Sequence, residues 1–285
     1  HVATMNSSLF ALLGSALVLA PTAVLADSPP APADALAPTR PWVVEWAESS
    51  CVASRQYEAQ GKPITLALRP SPMGGTMQLI LLAQRRSVDA YQGDTTIRGG
   101  TGEPIKNSML SYPIENKTNK TKVTAYVATL SAAQFHALDG AQWIGFQGHD
   151  LVQQNFRLTQ FTAVQAKLAE CLVNLKRYWL MSDDQIRRIK VPPTTSNIMG
   201  LFSSNDYPTQ ALRENNSGSV GVRLMIDDKG VVQDCMANET SGSAVLDAMT
   251  CIVLRQRAKF KPARDIDGKS VHSYFDQRVT WQIPG

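Results

Sequence analysis

Near the end of the chain, Val220, Val222, Leu224 and Ile226 are apolar and alternate with Gly221, Arg223 and Met225. A two-residue period of this kind predicts a half-buried strand. Asp227-Asp228-Lys229-Gly230 supplies turn chemistry, and Val231 to Met236 resumes extended character. The period then changes. Val245, Leu246, Met249, Ile252 and Val253 share one broad face of a helix, with Ser243 as its N-cap and Asp247 near the positive end of the dipole. Arg255, Arg257 and Lys259 gather at its other end, and Pro262 closes it. From Val271 to Ile283 alternation returns. Val271, Phe275, Val279, Trp281 and Ile283 point one way, and His272, Tyr274, Asp276, Arg278 and Thr280 the other. The predicted order is strand, strand, helix, strand.

Upstream the pattern is mainly extended. Trp42 to Trp46, Ile64 to Leu68, Met77 to Leu82, Lys122 to Leu130 and Trp143 to Phe146 read as strands, and Ser131 to Leu138 as a short helix capped by Ser131. The strongest helical signal runs from Thr159, its predicted cap, to Trp179. Val164, Leu168, Cys171, Leu172, Leu175 and Trp179 lie on one of its faces. Val191 to Asn205, rich in Pro, Thr, Ser and Asn, reads as a linker. The predicted class is therefore α+β: a mainly-β domain with a packed helix over residues 41–191, a linker over 192–205, and a small ββαβ domain over 206–285.

That last unit carries Tyr207-Pro208, Gly218-Ser219-Val220-Gly221-Val222, Asp227-Asp228-Lys229-Gly230, Ser241-Gly242, Leu246-Asp247 and Phe260-Lys261-Pro262-Ala263 in order. The set resembles the TonB C-terminal domain family over roughly residues 206–284. The resemblance implies a small domain outside the cytoplasmic membrane, whose relatives contact outer-membrane transporters by capturing a short extended segment.

Charge changes the picture little. The chain carries a net charge of +4, and residues 206–285 contain 10 Lys/Arg against 10 Asp/Glu. A balanced C-terminal domain offers no basic patch, so nucleic acid is not expected as a partner. The N-terminus matters more. His1-Val-Ala-Thr before Met5 is set aside as an upstream remnant, Leu9 to Ala20 are apolar or small, and Ala23-Val24-Leu25-Ala26 ends in a cleavage pattern. Residues 1–26 read as a signal peptide and the mature chain as starting at Asp27, in the periplasm. The alternative is an uncleaved anchor in the inner membrane, because Leu9 to Leu25 reaches the lower limit of a spanning length. Asp27 to Thr39, within a 27–40 linker, reads as a Pro/Ala spacer that cannot bury a core. It is far shorter than the Pro-rich span of a TonB-like protein that reaches across the periplasm.

Four cysteines fall two per domain, and export favours their oxidation. Three connectivities exist. Domain logic selects Cys51 with Cys171 and Cys235 with Cys251. No Cys-x-x-Cys occurs, so zinc and thioredoxin-like readings fall away. His149-Asp150 reads as a polar turn, His136 as surface and His272 as solvated on the outward row. Ser217-Gly218-Ser219 precedes a strand and is no nucleophile elbow. Gly99-Gly100-Thr101-Gly102 lacks the Lys and helix of a phosphate loop. Asn116 to Lys122 suits an exposed basic loop, and Asp183, Asp184, Arg187 and Arg188 an ion-paired turn.

No catalytic, cofactor-binding or metal-ligating set is therefore expected, and the chain reads as a non-enzymatic envelope protein. Its expected action is strand addition at the last strand, along Val271, His272, Tyr274, Asp276, Arg278 and Thr280, where an extended segment of an envelope protein such as an outer-membrane transporter would pair. A strand-paired homodimer, or cover by the first domain, would close the same edge. The competing reading keeps the C-terminal unit as a structural module beside a first domain with its own ligand-binding or hydrolytic activity.

Overall fold

Residues with one buried face build most of the N-terminal region. The computed structural model describes residues 30–46, 50–71, 75–84, 90–99, 102–115, 122–148, 152–179, 186–196 and 198–283; the leader-like residues 1–29, His149, Asp150, Asp183 and Asp184 lie outside them. Nine antiparallel strands form one sheet: β1 (Val43–Trp46), β2 (Cys51–Ala59), β3 (Lys62–Pro70), β4 (Thr76–Ala83), β5 (Tyr91–Gly99), β6 (Ile105–Glu115), β7 (Lys122–Ser131), β8 (Trp143–Gly148) and β9 (Gln154–Arg157). Their spatial order is β1-β2-β3-β4-β7-β6-β5-β8-β9. In β4, Met77, Leu79, Leu81 and Ala83 are buried while Gln78, Ile80 and Leu82 are half-buried, so the two faces meet different surroundings. The first face packs on α2 (Phe161–Tyr178) through Phe161, Val164, Leu168, Cys171 and Leu175. The disulfide Cys51–Cys171 ties β2 to α2, as expected, with Cα atoms 6.0 Å apart.

Residues 30–40 correct the spacer reading. Leu36 bridges Phe156 of β9, Pro38 bridges Tyr57 of β2, and Ala35 is buried. Leu36 N–H donates to Asn155 O at 2.9 Å and Leu36 O accepts from Arg157 N–H at 3.0 Å, while Thr39 N–H donates to Gln56 O. The segment thus joins the two ends of the sheet, and the Tyr57 and Phe156 rings meet edge to face at 4.9 Å. A Pro/Ala stretch has no amphipathic period of its own, but its main chain can complete a ladder that two other strands leave open.

Capping is more varied than composition suggests. At α1 (Ala132–His136), Ser131 Oγ accepts from Gln134 N–H at 3.2 Å and Gln134 Oε1 accepts from Ser131 N–H at 2.9 Å, the expected N-terminus with a reciprocal box. Thr159 does not cap α2. Gln160, at φ 64°, precedes the helix without a side-chain cap bond. The Thr159 carbonyl accepts from Trp42 Nε1 at 3.0 Å and Arg55 Nη1 at 2.8 Å, which fastens the helix start to β1 and β2.

The C-terminal region begins earlier than the linker reading allows. β10 (Ile189–Val191) pairs with β13 (Ala263–Asp265), and β13 with β14 (Ser270–Val271). Ile198, Leu201 and Phe202 pack on the second hydrophobic core. A short helix α3 (Thr209–Arg213) follows. β11 (Gly218–Ile226), β12 (Val232–Glu239) and β15 (Ser273–Trp281) make a sheet of order β12-β11-β15, with α4 (Ala244–Arg257) across its inner face. The expected strand, strand, helix, strand order holds, and Cys235–Cys251 joins β12 to α4 as expected. At the turn, Gly230 sits at φ 85°, with Phe260 O so close that a Cβ there would collide with it. None of the described helices is long and apolar enough to cross a membrane.

Candidate functional site: the outer strand of the C-terminal sheet

β15 is held from its inner face. Val279 and Trp281 are buried with Val220, Val222 and Leu224 of β11 and with Val245, Leu246 and Leu254 of α4. Trp281 is boxed by Tyr207 and Phe202, with ring centroids at 5.3 and 5.5 Å, and its Nε1–H donates to Thr250 Oγ1 at 2.8 Å. The buried stripe of α4 is therefore rotated from the predicted one. Thr250 and Leu254 replace Met249 and Ile252, which stay half-buried. Ser243 precedes α4 but makes no capping bond. Instead Asp247 accepts from Ser241 N–H at 2.9 Å, Ser241 Oγ at 2.7 Å and Thr240 Oγ1 at 2.6 Å.

The outer face is organised by cross-strand rows. Gly221 stands opposite both Glu239 of β12 and Arg278 of β15. Having no side chain, it lets the Arg278 guanidinium reach Glu239 across the middle strand and form an ion pair. A Cβ on Gly221 would lie 2.9 Å from Glu239 Cβ. In the next row, Arg223 donates through Nε and Nη2 to the two oxygens of Asp276, each at 2.6 Å, and its guanidinium lies over the Tyr274 ring at 4.3 Å. Ser219 and Thr280 hydroxyls meet at 2.9 Å. The charged side chains of β15 thus pair with those of β11 and β12 on the sheet face.

The six residues expected along the edge do not share one environment. Val271 belongs to β14, so the predicted continuous strand from Val271 to Ile283 is broken at His272. His272 is not simply solvated. Its ring lies 4.4 Å from that of Tyr178 and 4.9 Å from that of Trp179, and its Nε2 is 3.2 Å from the Tyr178 hydroxyl. Tyr274 is half-buried against the N-terminal core, which also takes Met225. Asp276, Arg278 and Thr280 are the exposed members. Past them β15 pairs with β11 alone, and among the described residues no strand covers its other side.

Asp206, the first residue of the predicted C-terminal domain, makes contacts that the residue pattern does not announce. The Arg257 guanidinium donates to both of its carboxylate oxygens at 2.7 Å, and Ser203 adds bonds from its N–H and hydroxyl at 2.8 Å. Led by Arg257, these donors lower the Asp206 pKa from 3.8 to about 2. A folded value below the unfolded one contributes stability above the unfolded pKa, which is lost as pH falls from about 4 through about 2. Asp206→Asn is expected to lower stability by about 1 kcal/mol at neutral pH, because the Arg257 partner stands partly in solvent and is screened. The gap to wild type should close toward pH 2 when melting temperature is followed against pH, and a constant gap would remove the carboxylate from the explanation.

Other singled-out residues are dispersed. His136 is exposed and lies 3.0 Å from Asp139. Gly218 opens β11, and Arg188 pairs with Asp267 at 3.1 Å. No curated protein and no solved structure matches the chain. Residues 203–283 do match the model of the family described as Gram-negative bacterial TonB protein C-terminal, and that match, over the ββαβ unit that ends in β15, assigns the C-terminal part of this chain to the TonB C-terminal domain family.

Proposed function

We propose that the chain is a non-enzymatic periplasmic protein whose C-terminal unit captures an extended segment of an envelope protein, such as an outer-membrane transporter, by adding it as a strand beside β15. The observation that carries this reading is the one-sided pairing of β15 at the end of the β12-β11-β15 sheet. An unpaired edge offers N–H and C=O groups to a partner strand. Side chains in non-hydrogen-bonded antiparallel pairs approach most closely. The close Arg223–Asp276 and Ser219–Thr280 contacts support a register in which the N–H groups of Asp276, Arg278 and Thr280 face the open side. The Arg278 carbonyl agrees, since it accepts from the side-chain amide of Gln277 at 2.6 Å. With His272 and Tyr274 occupied elsewhere, the usable edge is short, centred on Asp276 to Thr280.

Proline at Arg278 removes an outward donor without breaking the β11 ladder, whereas proline at Gln277 removes an inward one. A photo-crosslinker placed at exposed Gln282 should label an outer-membrane protein in envelope extract. The label is expected to vanish in Arg278→Pro while the domain stays folded, and Gln277→Pro should unfold the sheet. Labelling of a second copy alone, or labelling unchanged by Arg278→Pro, would replace strand capture by a homodimer or by another surface.

A further inference from the structure

A cleft of about 840 Å³, lined by no residue of β15, lies between the outer face of the nine-stranded sheet and the β12–α4 side of the C-terminal unit. That volume falls in the range of about 300–1,000 Å³ typical of ligand sites. One wall is formed by outward side chains of the large sheet, among them Ile80 and Val127, and the other by the α4 stripe Ala248, Ile252 and Arg255. The two units meet around the cleft, where Leu110 and Tyr112 of the large sheet line it and pack on the second core. Arg69 pairs with Asp234, while Gln92 Oε1 accepts from Ala244 N–H at 2.6 Å and Gln92 O from Gln210 Nε2 at 2.9 Å.

The charges inside are unequal in their commitments. Asp247, the carboxylate that lines the cleft, is saturated by Thr240 and Ser241. Arg69 is taken by Asp234. Arg255 lines the cleft, is exposed, and has no carboxylate partner among the described residues. The walls also carry side-chain amides and hydroxyls, including Gln78, Asn107 and Thr129. Such groups match the alternating donors and acceptors of a peptide main chain. β12, which among the described residues pairs with β11 alone, runs along one rim from Val232 to Asn238.

We propose that this cleft binds a short peptide bearing a carboxylate, its apolar side chains against Ile80, Val127 and Ile252 and its carboxylate on Arg255. The site is separate from the β15 edge and is built jointly by both units. It is tested on the full oxidised chain by chemical-shift titration with acetyl-Val-Gly-Glu-Gly-Val-amide and with its glutamine isostere. The acidic peptide should bind about tenfold tighter, the size of one charge-assisted contact. Arg255→Gln should erase that preference. Ala248→Trp, which fills the cleft, should weaken both peptides at least about tenfold while leaving the melting temperature and both disulfides unchanged. Arg278→Pro, which disables the β15 edge, should leave the titration as it is. Equal affinity for the two peptides, shifts confined outside the cleft, or loss of binding in Arg278→Pro would each overturn the proposal. Failure of strand capture at β15 would leave these outcomes untouched.

Discussion

Replacing Cys51 and Cys171 together by alanine is expected to destabilise the chain by about 5 kcal/mol, the largest effect of any local change considered. The two residues are 120 positions apart, and in the chain-entropy model the cost of losing a crosslink grows with the logarithm of the loop it closes. Both cysteines are buried in the N-terminal core, so alanine adds no unsatisfied polar group. The Cys235–Cys251 loop spans 16 residues, and its removal should cost about 3 kcal/mol on the same scale. Urea unfolding of the two double mutants checks the order as well as the size. A smaller loss for Cys51/Cys171 than for Cys235/Cys251 would show that residual structure in the unfolded chain, not loop length, sets the cost.

Arg69→Ala should cost about 3–5 kcal/mol for a different reason. Asp234 on β12 is wholly buried. One of its oxygens takes the Arg69 guanidinium from β3 and the Cys235 N–H, while the other has no partner among the described residues. Removing Arg69 leaves that charge buried and uncompensated. Replacing the pair with apolar residues of similar volume, Arg69→Met with Asp234→Leu, should cost much less, because both desolvation penalties disappear together. The stability difference across the four-member cycle is the measurement. Additive single and double effects would mean that the buried carboxylate is satisfied some other way.

Position along the chain explains why such pairs escape a reading by pattern. Arg69 and Asp234 are 165 residues apart, and nothing local distinguishes either from an exposed charge. The same holds for Gln92 and Gln210, and for His272 between Tyr178 and Trp179. β5 and β6 were also missed as strands. At its buried positions β5 carries Thr95 as well as Ile97, and β6 contains Pro113 within a paired run, so the two-residue apolar period is blurred and a breaker interrupts it. They are strands because β7 and β8 supply their ladders. The Arg255 side of α4 was read only as a basic helix end; its meaning depends on a sheet face contributed by residues more than a hundred positions away.

Features whose physics is local are written in the order of the residues. Alternation in β11 and β15, the Asp227–Gly230 turn, the apolar stripe of α2, the presence of α4, the Ser131 cap and the two-per-domain cysteine pairing were all legible, because a strand or helix with one buried face must repeat at its own period. The assembled fold set how those pieces meet. It turned residues 30–40 from spacer into the closure between β2 and β9, split the last predicted strand at His272, sent Met225 and Tyr274 into the neighbouring core, and reduced the open edge to Asp276 through Thr280. Each of these depends on which surface arrives opposite a residue, and a hydrophobic period records that a face will be buried without recording what buries it.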